Sequence, residues 1–370
     1  LKNPKYFDEM LKLCLNCKRC EVACPEGVKV GDIIQAARIR YSTHKPSLRD
    51  MMLANTDFVG GLATAFAPIV NFSLGLGIMK KVLDSAFKID KHRQFPSYSH
   101  EKFESWYKKH EAEQVKYPHH VSYFHGCYAN YNYPQLGKDF VKVMNAVGYG
   151  VNLLEKEKCC GVALIANGLY SQAKRQGEIN INSMRDSVKD NEAVLTTSST
   201  CTFTVRDEYK ALLDINNDDV REKISLATRF LYKLVETGKI KLAFRKDFKK
   251  KVAYHTACHM ERMGWAIYSI ELLKMIPGLE LTVLESCCCG IAGTYGFKKE
   301  NYKNSQKIGA LLFQQIKEVN PEIVATDCET CKWQIEMSTG YKVENPISLI
   351  AQALDVEETK KLNHIEKQKL

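Results

Sequence analysis

Three consecutive cysteines, Cys287, Cys288 and Cys289, stand before Gly290 in a 370-residue chain that carries 14 cysteines. Neighbouring α-carbons on a trans peptide lie about 3.8 Å apart, whereas an unstrained disulfide usually spans about 4.4–6.8 Å. A bridge within the run is therefore a poor fit. Burial as a small hydrophobe gives no reason for a run either. What favours adjacent thiolates is a polynuclear centre that draws several of them to one point. The other cysteines are also clustered, at a density below that of a disulfide scaffold. No secretory signal opens the chain at Leu1-Lys2-Asn3-Pro4, so reduced thiols holding metal are the expectation.

The first group is Cys14, Cys17, Cys20 and Cys24, followed by Pro25. This C-x2-C-x2-C-x3-C-P spacing is that of bacterial ferredoxin runs, where short loops let three thiolates meet on one cubane. Structural zinc sites instead pair two separated C-x2-C knuckles. In two-cluster ferredoxins the fourth cysteine serves the other cluster. Cys14, Cys17 and Cys20 would then lack one ligand. Either a second run lies upstream of Leu1 in a longer chain, or Cys24 folds back and closes a single cluster.

The remaining cysteines form a repeat. One copy holds Cys127, Cys159-Cys160-Gly161 and Cys201; the other holds Cys258, Cys288-Cys289-Gly290, Cys328 and Cys331. Cys127 and Cys258 are 131 residues apart, and Cys201 and Cys331 are 130 apart. Aligning YFHGC with YHTAC, and VLTTSSTC with IVATDCETC, puts Ser198 where the second copy has Cys328. A repeat of this length is a duplicated domain. Lys158 occupies the slot of Cys287, which is left as a spare thiol, a buried small residue or an alternative ligand.

Positioning these thiols requires a scaffold, and the apolar pattern supplies one. In the first copy, strands are predicted at 121–124, 151–154 and 193–197. Helices are predicted at 135–147, with Leu136, Phe140, Val143, Met144 and Val147 on one face, and at 171–188. The second copy repeats the order with strands at 252–254, 281–284 and 323–325 and helices at 267–275 and 302–319. Strands alternating with helices predict a parallel sheet. Ligands in such sheets gather beyond the carboxyl ends of strands, which is where every repeat cysteine falls. Cys288 and Cys289 are then adjacent ligands of one centre, and the following glycine lets backbone pass close by.

Apolar residues make 45% and charged residues 26%, as expected of a chain folded into two or three domains. The fold class read from this is α/β, with a small helical ferredoxin-like N-terminal domain ahead of two duplicated domains of parallel-sheet character. The expected boundaries are 1–50 for the ferredoxin-like domain, 51–118 for a linker, 119–240 and 250–354 for the two repeats, and 355–370 for a charged, disordered tail. His119-His120, after Pro118, reads as part of a domain-boundary linker. His125 and His255 stand just ahead of Cys127 and Cys258, as ordinary satisfied polar residues or as donors to a cluster sulfur. The net charge is +10, with basic runs near 80–110 and 244–251 that together suit an anionic membrane face. No nucleic-acid motif is present. The window 58–79 has no charge and enough length to span a bilayer, but it carries four glycines, Pro68, Asn71, Ser73 and Thr64. It is expected to lie at a membrane interface, to pack on a membrane partner or to be a buried connector, with a helix to follow at 81–87.

The stretches CKRCEVACP, KPSLRD, HGCYANYNYPQLGKD, KEKCCG, SSTCTF, RDEY, CCGIAGTYGFKKENY and TDCETCKWQIEMST resemble the heterodisulfide-reductase-like CCG iron–sulfur family. Within it they resemble the C subunits of anaerobic glycerol-3-phosphate dehydrogenases, from Leu1 to about Leu354. The resemblance implies an iron–sulfur electron-transfer and membrane-attachment subunit, peripheral on the cytoplasmic face of the inner membrane. Separate flavoprotein subunits would oxidise sn-glycerol 3-phosphate, and electrons would pass through [4Fe-4S] clusters toward menaquinone. The chain itself would have no catalytic acid or base and no glycerol phosphate site. A cubane is implied for Cys14, Cys17, Cys20 and Cys24, and a non-cubane four-iron cluster for Cys258, Cys288, Cys289, Cys328 and Cys331. The four thiols Cys127, Cys159, Cys160 and Cys201 leave a cubane, a zinc ion or a Ser198 oxygen ligand open. This sequence departs from the family in showing one ferredoxin run where the family has two. Two alternatives stand beside this reading: a thiol–disulfide reductase like the heterodisulfide reductases, and a structural zinc protein.

Overall fold

Eight short strands carry the scaffold: β1 (His119–Tyr123), β2 (Tyr149–Leu153), β3 (Val194–Thr196), β4 (Ile224–Leu226), β5 (Lys250–Tyr254), β6 (Leu279–Val283), β7 (Ile323–Ala325) and β8 (Val343–Glu344). They belong to a computed structural model that describes residues 4–41 and 45–365. The strands form two four-stranded sheets of identical order, β2-β1-β3-β4 and β6-β5-β7-β8. Every pairing within them is parallel. Helices cover the sheets, so β3, β4 and β7 are buried along their whole length. That is why β3 and β7 read as largely apolar runs without alternation. The duplication and the parallel sheets follow the sequence pattern. The fourth strands β4 and β8 escaped it, because each is short and carries a polar residue, Ser225 or Glu344, where the equally short β7 is all apolar.

His119 and His120 are not a linker. They open β1, in register with Tyr149 and Gly150. The His119 ring stacks on Tyr149 at 5.1 Å and its Nδ1 lies 2.9 Å from Glu192.

One apolar core joins the two repeats. Tyr123, Phe140 and Val143 of the first belong to the same buried cluster as Val252, Tyr254 and Leu272 of the second. Its first-repeat anchor is the helix Pro134–Ala146, which starts with proline where a missing N–H is harmless and buries Leu136, Phe140, Val143 and Met144 along one stripe. Phe140 stacks on Tyr123 at 4.2 Å.

Ahead of the sheets the chain is helical. Pro4–Leu11, Arg19–Val22 and Val30–Tyr41 surround the first cysteine run. Leu48–Ala54 follows, started by a reciprocal capping box between Ser47 and Asp50. The uncharged window then forms Thr56–Ala65 and Ala67–Gly75, bent by 103° at Phe66, and continues into Gly77–Ala86. Among the described residues no single helix is long and apolar enough to cross a membrane, although the bent pair together has the length and composition. Phe58, Ile69, Phe72 and Ile78 of this segment are each at least 70% exposed.

The C-terminal stretch is ordered further than its composition implies. Val356–Leu362 is a helix capped by Asp355, whose side chain accepts from the Glu358 N–H. The Thr359 hydroxyl accepts from the Ala243 N–H at 3.0 Å, and Asn363 Oδ1 accepts from the Lys241 N–H at 2.9 Å. These side chains satisfy the backbone of the connection between the repeats, a service that hydropathy does not reveal. The last part of the expected tail, 366–370, lies outside the described residues.

Because the core is shared, truncating it on one side should loosen both. Phe140→Ala is expected to destabilise the protein by about 3–5 kcal/mol. In urea it should keep a single transition, shifted to lower denaturant; two separated transitions would contradict a common core.

Candidate metal centres

In the first repeat, the chain leaving β1 delivers Cys127, the chain after β2 delivers Cys159 and Cys160, and the chain after β3 delivers Cys201 within the helix Ser199–Phe203. All four meet. Cys127 and Cys159 sulfurs are 3.8 Å apart, and Cys160 touches both Cys159 and Cys201. The pair is held by its main chain. The Cys159 N–H donates to Asp57 at 2.8 Å, Asn180 Nδ2 donates to the Cys159 carbonyl at 3.4 Å, and the Tyr209 hydroxyl donates to the Cys160 carbonyl at 2.9 Å. Crowding splits the thiols. Donation from Cys127 and Cys160 holds Cys159 well below the usual thiol value, while both donors are pushed above it.

His125 is a satisfied residue of this site. Its Nδ1 lies 3.2 Å from Glu157 and its Nε2 3.5 Å from Glu104. Burial pulls its pKa down, but the two carboxylates outweigh burial and raise it to about 9. Glu157, pushed up to about 7 by burial, accepts the Gly126 N–H at 2.7 Å. Sequence reasoning misses Asp57, Glu157, Asn180 and Tyr209. Asp57, Asn180 and Tyr209 lie on other elements, and Glu157, two residues before Cys159, turns back onto the Gly126 N–H in a way its sequence does not show.

The second repeat builds the same arrangement. Cys258 opens the helix Cys258–Met263, Cys288 and Cys289 follow β6, and Cys328 caps the helix Glu329–Thr339 that contains Cys331. Cys289 and Cys331 sulfurs are 3.2 Å apart. Donation from Cys288 and Cys331 lowers Cys289 to about 5, and donation from Cys331, against burial, lowers Cys328 to about 6. Cys258, Cys288, Cys289, Cys328 and Cys331 all line one cavity of about 440 Å³. Cys287 does not. It is buried to the side, where Gln315 Nε2 approaches its sulfur at 3.7 Å.

The N-terminal run divides. Cys14 and Cys17 line that same cavity, and Cys17 touches Cys288. Cys20 is exposed and Cys24 half-buried, and neither belongs to the lining. The run is docked by charge. Arg19 reaches Glu261 at 2.8 Å and the Ser286 hydroxyl and carbonyl at 3.0 Å, and Arg262 reaches Glu21 at 2.9 Å.

Ser198, aligned with Cys328, stands beside the Cys201 thiol. Its hydroxyl donates to Glu329 of the second repeat at 2.6 Å and accepts from the Cys201 N–H. Glu329 is pushed up to about 8 by burial and the Cys328 charge. Thr200 lies 3.5 Å from the Cys328 sulfur, the Ser199 N–H donates to the Asp327 carbonyl at 2.8 Å, and Asn345 donates to the Thr197 carbonyl at 2.8 Å. The two sites are thus clasped together.

The donor sets fit a thiolate-bound metal group. Among the described residues no three Cys, His, Asp or Glu side chains converge on a single-ion position. In the second repeat they surround a space. His259 lines it with Nδ1 unpartnered, and His255, three residues before Cys258, is fully buried with neither ring nitrogen partnered. Buried polar groups rarely lack a partner, and one supplied from outside the polypeptide would meet the need. His255 therefore departs from the satisfied reading that holds for His125.

Twin parallel sheets presenting Cys-Cys-Gly turns define a class: residues 121–206 and 252–336 match the cysteine-rich domain family, CCG. Over 355 residues the chain is 56% identical to the C subunit of the anaerobic glycerol-3-phosphate dehydrogenase of Escherichia coli strain K12, covering 96% of this chain and 89% of that one. The chain belongs to that family of dehydrogenase subunits. More distant relatives include an uncharacterised iron–sulfur protein of Methanocaldococcus jannaschii, 30% identical over 240 residues (64% of this chain, 44% of that one). Another is lactate utilization protein A 1 of Bacillus anthracis, 29% identical over 185 residues (48% and 74%).

Gly290 tests the second site. Its φ is +85°, and an added Cβ would lie 2.1 Å from the Ser305 carbonyl oxygen. Gly290→Ala should displace Cys288 and Cys289 and abolish the iron and visible absorption of the second site, with those of the first retained. Unchanged iron content would refute this.

Proposed function

We propose that the chain is the iron–sulfur electron-transfer and membrane-attachment subunit of an anaerobic sn-glycerol-3-phosphate dehydrogenase. Flavoprotein subunits oxidise glycerol 3-phosphate to dihydroxyacetone phosphate, releasing two electrons and two protons; menaquinone takes up two of each. The observation that carries this reading is the gathering of all nine repeat cysteines into two crevices, one of which also receives Cys14 and Cys17. Bound clusters supply one-electron transfer. The polypeptide supplies the thiolates, holds them through Asn180, Tyr209 and the Cys-Cys-Gly turns, and buries Cys159, Cys160, Cys289, Cys328 and Cys331.

The ligand assignment is Cys14, Cys17, Cys20 and Cys24 for a cubane, Cys127, Cys159, Cys160 and Cys201 for the first repeat, and Cys258, Cys288, Cys289, Cys328 and Cys331 for a non-cubane cluster. The division into a ferredoxin-like segment, a linker, two CCG domains and a C-terminal extension goes with it. Attachment to the cytoplasmic face of the inner membrane is assigned to the helices over 56–86. They project Phe58, Ile69, Phe72 and Ile78 outward with Lys80 and Lys81 alongside, the composition of a segment that lies in an anionic interface.

Two measurements test this. Oxygen-free complex containing the flavoprotein subunits should develop reduced-cluster spin signals on addition of glycerol 3-phosphate. Iron-loaded protein that stays silent, or that turns over disulfides with a reduced dye instead, would overturn the assignment. For the membrane, Phe58→Glu with Phe72→Glu removes two apolar anchors, each worth about 1.5–3 kcal/mol when buried. Binding to anionic vesicles should fall by about a hundredfold or more, and unchanged flotation would refute the role of these helices.

A further inference from the structure

Three independent connections set the two repeats in series. First, the N-terminal run meets the second repeat through its cysteines. Cys17 touches Cys288, and Cys14 and Cys17 share the cavity of the second site. Toward the first repeat Asn16 donates to Glu208, and among the described residues that repeat lines the shared cavity with Val162, Tyr170 and Thr200 but with none of its four cysteines. Second, the two sites are joined where Thr200, adjacent to Cys201 in the chain, lies 3.5 Å from Cys328. Third, the apolar helices are built onto the first site. Asp57, in the first turn of Thr56–Ala65, accepts the Cys159 N–H at 2.8 Å. Gly60 packs against the Tyr131 ring, in the π-helical turn Tyr128–Asn132 that follows Cys127. Asn71 of Ala67–Gly75 grips the Tyr98 backbone through two 2.9 Å bonds, and the next residue, Ser99, donates to the Tyr131 carbonyl. The second repeat also touches this segment through Asp84–Lys299, and the stretch after it through Arg93, whose charge acts on Cys289, but among the described residues by no hydrogen bond to its cysteines.

We infer that electrons travel from the N-terminal run to the second CCG site, then to the first, and leave the protein there, behind the apolar helices, for a quinone at the bilayer. This rests on the electron-transfer reading above. The donor side delivers two electrons per glycerol 3-phosphate, passed one at a time, and the quinone becomes quinol on accepting both with two protons. The order gives the unequal copies distinct work: the five-cysteine site is an internal relay, and the four-cysteine site is the exit.

The test uses the oxygen-free complex with its flavoprotein subunits, unmodified and in two variants. Cys160→Ser with Cys201→Ser disables the first site; Cys289→Ser with Cys331→Ser disables the second. Dithionite reduction shows that the remaining site is intact in each. With glycerol 3-phosphate, the first-site variant should show the second-site signal at full yield and lose reduction of a soluble naphthoquinone. The second-site variant should lose the first-site signal at least tenfold while dithionite still produces it. A first-site signal elicited by glycerol 3-phosphate in the second-site variant would overturn the order, as would absence of the second-site signal in the first-site variant. Rapid freezing of the unmodified complex provides a check free of substitutions. The second-site signal should rise before the first, and the opposite sequence overturns the proposal. If glycerol 3-phosphate reduces neither site in unmodified complex that dithionite does reduce, the electron-transfer reading itself fails, and the order with it.

Discussion

Gly161 and Gly290 hold their backbones at φ +84° and +85°, one directly after each cysteine pair. L side chains rarely occupy that region, so the turn is available only because the third residue of the motif has no Cβ. With it, two successive thiols can be offered from one strand end, while single cysteines arrive from the neighbouring ends. The parallel sheet fixes the rest. All strands of a repeat finish on the same side, so residues about 30 to 75 positions apart in the chain arrive in one crevice. Without the left-handed turn the donors would be strung along a loop instead of grouped.

Much of this is legible in the amino-acid sequence alone. Cys127 and Cys258, and Cys201 and Cys331, stand at nearly equal offsets, and the strand–helix alternation between them dictates parallel sheets. What stays hidden has physical reasons. β4 and β8 are short and interrupted by Ser225 and Glu344, so no apolar run marks them as it marks β7. The partners that fix the thiol pair, Asn180, Tyr209 and Asp57, act across elements through single hydrogen bonds, which leave no trace in hydropathy. His119 and His120 look like loop residues by composition, yet the first strand needs backbone pairing at its edge more than apolar side chains there. Thr359 and Asn363 look like tail residues until their backbone partners at 241 and 243 are known.

The copies have diverged where they touch. Alignment places Ser198 in the slot of Cys328, which by sequence reads as a missing ligand. In the fold that hydroxyl serves the seam between halves, donating to a buried Glu329 whose burial and neighbouring thiol both disfavour its charge. Removing the donor would leave an acidic group buried without its partner, a costly situation in a low-dielectric interior. Duplication thus left the first copy a cysteine short and turned that slot into a clasp on the second, and His255 and His125, at near-equivalent positions, ended up with opposite environments.

The 103° break at Phe66 carries a geometric consequence of its own. Its arms of ten and nine residues are each only about 15 Å long, roughly half the hydrocarbon thickness of a bilayer. On the membrane-attachment reading, such an elbow engages a single leaflet and never has to match the distance between the two headgroup layers. Thickness, which sorts spanning helices among membranes, would have no hold on this protein; the density and charge of lipid headgroups would decide where it settles.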